Sequence, residues 1–105
     1  MAKHIDLTNK FSKEKPSITI GNLTLTVNDE KSNVLMMNSL IKSGKMTEFE
    51  IIDKSLEMLL GETGYKKVEK LKLRLSDYKT LYFAIMAVVN DEELEDVEKR
   101  FQKQQ

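Results

Sequence analysis

The chain of 105 residues has no cysteine, no tryptophan, one proline and one histidine. Without cysteine there is no disulfide, no thiolate zinc site and no cysteine nucleophile. With His4 as the sole imidazole, no histidine-based triad or metal cluster can be assembled within one chain. A charge excess is missing too: 17 basic side chains meet 17 acidic ones. A general nucleic-acid or membrane-surface binder carries a basic excess. No apolar run approaches the about 18 residues of a transmembrane helix. The opening Met1-Ala2-Lys3-His4 is polar. These absences lead us to expect a soluble, cytoplasmic, non-enzymatic protein with no cofactor and no metal.

What is present suits one globular domain, since 40% of residues are hydrophobic. Scaling for this mass gives a folded surface of roughly 6,000 Å² against roughly 17,500 Å² unfolded. That allows one modest core and argues against a deep catalytic cavity.

Residues 1–16 read as a polar arm with Ile5, Leu7 and Phe11 as isolated apolar points. Ile5 and Leu7 suit a short strand, and residues 8–11 suit a single helical turn; both remain open. Lys13-Glu14-Lys15-Pro16 reads as a linker. Residues 17–27 carry the clearest β signal. Two alternating runs, Ser17-Ile18-Thr19-Ile20 and Leu23-Thr24-Leu25-Thr26-Val27, flank Gly21-Asn22. Glycine at the first central position suits a type II′ hairpin turn. That turn sets Ile20 opposite Leu23 and Ile18 opposite Leu25, with Thr19 and Thr24 paired on the other face.

The remainder, 30–101, reads as four or five helices. The first covers 30–43, with Asn28 or Asp29 as cap and Gly44 as stop. Thr47 and Glu50 form a capping box for the second, with Met46 and Ile51 placed as a staple. Gly61 is its stop. A short helix over 63–73 follows. Ser76 is the expected cap of the next, with Asp77 in its first turn. In the last, acids (Asp91 to Glu98) precede bases (Lys99, Arg100, Lys103). That order predicts Glu95–Lys99 and Asp96–Arg100 pairs and a stripe of Leu94, Val97 and Phe101. The last two helices also fit one continuous helix. The final 102–105 is expected to fray. The fold class is therefore α+β, mostly helical: one N-terminal β-hairpin packed on four or five helices.

Chemical motifs are few. Glu50, Asp53 and Glu57 share a helical face where a divalent cation would find oxygens, yet this composition is that of a solvated face. Gly61-Glu62-Thr63-Gly64 with lysines behind it is similar in layout to the phosphate-clamping loop of KH domains. Glu62 opposes a phosphate there, and a C-cap glycine plus a turn glycine explains the spacing. The cluster Lys66, Lys67, Lys70, Lys72 and Arg74 would grip phosphate in a nucleic-acid-binding module, the alternative function. Yet charge alternates by segment: +3 over 1–46, −4 over 47–62, +4 over 63–80 and −3 over 81–105. Opposite-sign blocks suit pairing within the fold or between copies.

The run Leu81-Tyr82-Phe83-Ala84-Ile85-Met86-Ala87-Val88-Val89 is apolar at every position, whereas one helix stripe needs about three or four in seven. It reads either as a central core helix or as a helix with one side on a partner. Tyr78, Leu81, Tyr82, Phe83 and Met86 are the candidate partner-binding residues, being aromatic, sulfur-containing or large. Leu35-Met36-Met37 reads first as ordinary core and otherwise as a second adaptable surface.

The order of these features resembles small tail assembly chaperones of long-tailed phages and prophages of Gram-positive bacteria. The resemblance rests on Ser17-Ile18-Thr19-Ile20-Gly21-Asn22-Leu23-Thr24-Leu25-Thr26-Val27 with Asn33-Val34-Leu35. It continues through Glu48-Phe49-Glu50-Ile51-Ile52-Asp53-Lys54 to Leu59-Leu60-Gly61. It closes with Leu75-Ser76-Asp77-Tyr78, Ile85-Met86-Ala87-Val88-Val89-Asn90 and Glu98-Lys99-Arg100-Phe101. It implies a non-enzymatic role in the bacterial host cytoplasm. Such proteins bind and solubilise the tape-measure protein, help recruit tail-tube subunits and often self-associate. The resemblance assigns no catalytic residue and no individual client contact.

Overall fold

The structure is a computed structural model that describes residues 2–12 and 14–103, with side chains as far as residue 100. The order is a 3₁₀ turn (Thr8–Lys10), β1 (Ser17–Ile20), β2 (Leu23–Thr26), α1 (Lys31–Lys42), α2 (Glu48–Leu71), α3 (Leu75–Asn90) and α4 (Leu94–Lys103). This is an α+β, mostly helical fold. Of the two readings of the arm, the turn forms. The Asp6 carboxylate accepts the Thr8 amide at 2.9 Å, and the Lys10 amide donates to the Leu7 carbonyl at 2.9 Å. The Thr8 hydroxyl, which also donates to Asp6 Oδ1, and then the Thr8 amide hold Asp6 below the usual carboxylate range.

The hairpin has the expected register, Ile20 facing Leu23, Thr19 facing Thr24 and Ile18 facing Leu25. Gly21 has φ 59° while Asn22 stays out of the positive-φ region, the sign pattern of a type II′ turn. The Val27 amide reaches the Pro16 carbonyl at 2.8 Å and extends the ladder. Leu25 and Val27 are buried against the helices, whereas the Thr19 and Thr24 hydroxyls meet at 3.3 Å on the outer face.

The start of α1 differs from expectation. Glu30 is its N-cap and makes no side-chain cap bond. Asn28 is used differently, its Oδ1 accepting the Glu30 amide at 3.2 Å one step outside the helix. The capping box of α2 forms: Thr47 Oγ1 accepts the Glu50 amide at 3.2 Å, and Glu50 Oε1 accepts the Thr47 amide at 3.1 Å.

Gly61 does not stop this helix but kinks it. Its φ 75° and ψ 171° lie in a region only glycine occupies readily. The helix resumes at once, so the expected separate short helix is the second half of α2. The kink displaces residues 62 and 63, the helical donors to the Met58 and Leu59 carbonyls. Other groups take those carbonyls. The Asn28 amide donates to Leu59 O at 2.7 Å. Asn33 Nδ2 donates to Met58 O at 3.0 Å and to Asn28 O at 2.9 Å. The end of the hairpin, the start of α1 and the bend of α2 are joined there.

The start of α3 also moves. Arg74, not Ser76, is the N-cap, and its carbonyl accepts the Asp77 and Tyr78 amides at 3.0 and 3.1 Å. Asp77 still sits in the first turn, where the dipole favours a negative charge. Asp91 ends α3 in the left-handed region at φ 54°, with the Glu92 amide closing onto Ala87 O at 2.8 Å. So α3 and α4 are separate helices. Arg100 grips Glu92 through two bonds of 2.8 and 3.2 Å rather than pairing with Asp96. The Glu92 carboxylate is presented by the turn before α4, which offers both oxygens to the guanidinium fork. The parts expected of the Phe101 side chain and of 104–105 fall outside the described residues.

At the core centre Val27, Leu56, Leu59, Val68, Ile85 and Val97 are fully buried. They come from β2's end, both halves of α2, α3 and α4. Among the described residues no helix is long and apolar enough to cross a membrane.

Two substitutions test the kink. Gly61→Ala forces a side chain into a glycine-only conformation and is expected to cost about 1–3 kcal/mol. Asn33→Ala leaves the Met58 carbonyl without its side-chain donor and is expected to cost about 1–3 kcal/mol. Urea unfolding followed by far-ultraviolet circular dichroism measures both.

Candidate functional site

The apolar run forms the body of α3, and the fold decides what each position meets. The hairpin packs on one side, α2 on another and α4 follows the C-terminal end. Leu81, Tyr82 and Met86 are buried within this single chain. They hold the core together and have little surface to offer a partner. Tyr78 and Phe83 are half-buried and keep an exposed edge. The rings of Tyr82 and Phe83 pack at a centroid distance of 5.9 Å, tilted by 55°. Burial raises the Tyr82 phenol above its ordinary range.

Phe83 opens onto a groove of about 290 Å³ lined by Ile41, Glu48, Ile51, Ile52 and Tyr82. Three helices contribute: Ile41 from α1, Ile51 and Ile52 from α2, and the aromatic pair from α3. A second hollow of about 260 Å³ lies beside it, where Phe49 and Leu75 face Thr47 and Lys79. The two hollows share Glu48 and Ile52. Lys79 Nζ reaches Glu48 Oε1 at 3.7 Å across this surface. Phe49 and Leu75 are 51% and 53% exposed, which is unusual for side chains of that size. The result is a nearly continuous apolar strip with one ion pair beside it.

The sequence assigns Ile51 a staple role with Met46 and singles out none of Ile41, Phe49 and Leu75 as a partner contact. The available signal was the excess of apolar positions in 48–52, more than one helix face can bury.

The Gly61-x-x-Gly64 segment is no loop. Gly61 is the kink, and Gly64 lies inside the helix. A Cβ on Gly64 would crowd Leu60 Cβ of the same helix at 3.1 Å and meet Leu25 Cδ2 at an ordinary 3.9 Å. The phosphate-cradling geometry required by the nucleic-acid reading is not formed. Lys66 is turned onto Glu62 at 3.0 Å. Lys72 is the left-handed C-cap of α2 at φ 51°, and Arg74 caps α3.

The acidic face of α2 is shared among separate partners. Glu50 completes the capping box, and the Thr47 amide holds its carboxyl below the usual range. Glu57 lies 3.8 Å from Lys54. Asp53 accepts the Tyr65 hydroxyl at 2.5 Å, tying the two halves of α2 across the kink. Among the described residues no three acidic or histidine side chains gather as metal ligands would. His4 is exposed in the arm.

No family model matches the chain, and no curated protein or solved structure is significantly similar to it.

The Tyr65–Asp53 bond yields a pH prediction. The Asp53 carboxylate, then burial and Glu69, raise the Tyr65 phenol far above its ordinary value. The folded state therefore holds this proton more tightly than the unfolded chain does. Its contribution is complete below about pH 10, the ordinary tyrosine value, and is lost as pH rises beyond it. Thermal melts from neutral to strongly alkaline pH should show a falling Tm that is shallower in Tyr65→Phe. At neutral pH that variant should lose about 1–2 kcal/mol.

Proposed function

We propose that this protein is a non-enzymatic tail assembly chaperone of a long-tailed phage or prophage, working in the bacterial host cytoplasm. It binds an amphipathic helix of the tape-measure protein, keeps it soluble and helps recruit tail-tube subunits around it. The observation that carries this reading is the apolar strip formed by Phe83, Ile41 and Ile51 and continued by Phe49 and Leu75. A helix laid in such a groove anchors through side chains spaced three and four apart. The strip is open and shallow, with no cluster of polar groups for chemistry, and so favours a protein surface over a small substrate. The family resemblance, in the order of hairpin, capped helix and apolar helix, supports the same reading. Self-association belongs to it as well, because copies must be arrayed along a long client.

The earlier candidates are redistributed by this proposal. Phe83 is the direct contact, with Tyr78 at the exposed margin. Tyr82 lines the strip beside Phe83 and packs on its ring, while Leu81 and Met86 belong to the core.

Co-expression with the tape-measure protein of the same phage tests the proposal. The chaperone is expected to raise the client's soluble fraction and to co-elute with it in gel filtration. Phe83→Asp places a charge in the strip and should weaken the complex at least tenfold, while Glu57→Gln, away from the strip, should leave it unchanged. Unchanged client solubility and no complex with the wild-type chain would overturn the reading.

A further inference from the structure

The hairpin leaves one backbone edge open. The Pro16–Val27 bond and the register place residues 16, 18 and 20 in the hydrogen-bonded pairs. Ser17 and Thr19 therefore turn their amides and carbonyls away from β2. Neither backbone finds a donor or acceptor elsewhere among the described residues. Beside this edge runs a groove of about 390 Å³ between β1 and α3. Ile18, Thr19 and Ile20 line it in succession, with Leu73, Leu81 and Ala84 opposite. Three consecutive strand residues line one groove only where it follows the strand's edge, because successive side chains point to opposite faces.

The arm supplies a matching segment. Ile5 and Leu7 recur with the two-residue period of a strand, and they are 63% and 48% exposed. Phe11 is 69% exposed. Charge agrees: among the described residues Asp77 is the one charged residue lining the groove, and residues 2–12 carry Lys3 and Lys10 against Asp6. No described residue of the chain's own arm lines this groove, and the arm's Leu7–Lys10 bond closes on itself. The whole chain exposes 8213 Å², whereas scaling gives about 6,000 Å² for this mass.

We infer that the arm of a second copy of this chain docks on the free edge of β1. Residues around Ile5-Asp6-Leu7 add a third strand to the hairpin, and their apolar side chains settle on Leu73 and Ala84 of the receiving copy. The Ser17 and Thr19 backbone groups supply the main-chain bonds, as in other cases of strand addition. Donor and acceptor surfaces differ, so the contact either closes as a reciprocal exchange between two copies or continues head to tail. This gives the proposed self-association a surface and rests on that part of the reading. It is separate from the client strip.

Sedimentation equilibrium of the full chain, with no client present, tests it. Association is expected to grow from low to high micromolar concentration. Ile5→Asp with Leu7→Asp, both on the exposed arm, should weaken it at least about a hundredfold. Thr19→Pro removes an amide that β2 does not use and should weaken it too, with the far-ultraviolet spectrum retained. A peptide of residues 2–12, added to a chain lacking them, should shift the amide resonances of residues 17–20 and 81–84. A monomeric full chain would overturn both this contact and self-association. Undiminished association in the double variant would overturn this contact alone. A monomeric full chain whose truncated form still binds the peptide would assign the groove to the chain's own arm and overturn the exchange. None of these outcomes bears on the tape-measure complex, which is read by co-expression.

Discussion

Two carbonyls freed by one bend hold this fold together. Where Gly61 kinks α2, Met58 and Leu59 lose their helical donors and would be left unsatisfied beside the core, which is costly for backbone groups. The Asn28 amide and the Asn33 side chain take them. The hairpin and α1 are thus attached to the longest helix at its weakest point. Without the kink those carbonyls would be spent inside the helix. Without Asn28 and Asn33 the kink would be only a defect.

Around that joint, α3 acts as the central beam. It is apolar on every side because almost every side is covered: by the hairpin, by α2 and by the turn into α4. Its surplus shows at the margins, where Phe83 and Ala84 line hollows on opposite flanks. One flank looks towards α1 and α2, the other towards the hairpin edge. A small chain that extends 60 × 34 × 25 Å, with a radius of gyration of 16.0 Å against about 13 Å for a compact chain this long, cannot cover both.

Much of this was legible in the residues. The hairpin register followed from alternation plus Gly21-Asn22, and the α2 start followed from Thr47 and Glu50, because each is set by neighbours in sequence. What escaped depended on distant partners. Gly61 reads as a stop from local rules; only the carbonyl acceptors offered to Asn28 and Asn33 make a kink stable. Ser76 reads as a cap, yet Arg74 caps the helix two residues earlier, and Leu75 lies exposed near Phe49. Arg100 chose Glu92 over Asp96 because the turn at Asp91 swings Glu92 into reach. The candidate residues of the apolar run shared one helix but not one fate: burial of Leu81, Tyr82 and Met86 was decided by the hairpin and α2, which periodicity within the run does not contain. Of the alternating charge blocks, 47–62 and 63–80 are joined by Lys66–Glu62 within one turn and by Lys79–Glu48 between helices, while Lys54–Glu57 stays inside one block.

The Asn33–Met58 bond joins residues 25 apart in sequence. Closing a loop of that length costs about 3 kcal/mol of chain entropy beyond a constant term. Helices form from neighbours and need not wait; this joint must. During synthesis the chain is made from its N-terminus, so β1, β2 and α1 emerge from the ribosome before their anchor exists. The first half of the protein therefore has nowhere to dock until Met58 and Leu59 have left the exit tunnel, and the hairpin with its open edge spends that interval unsupported.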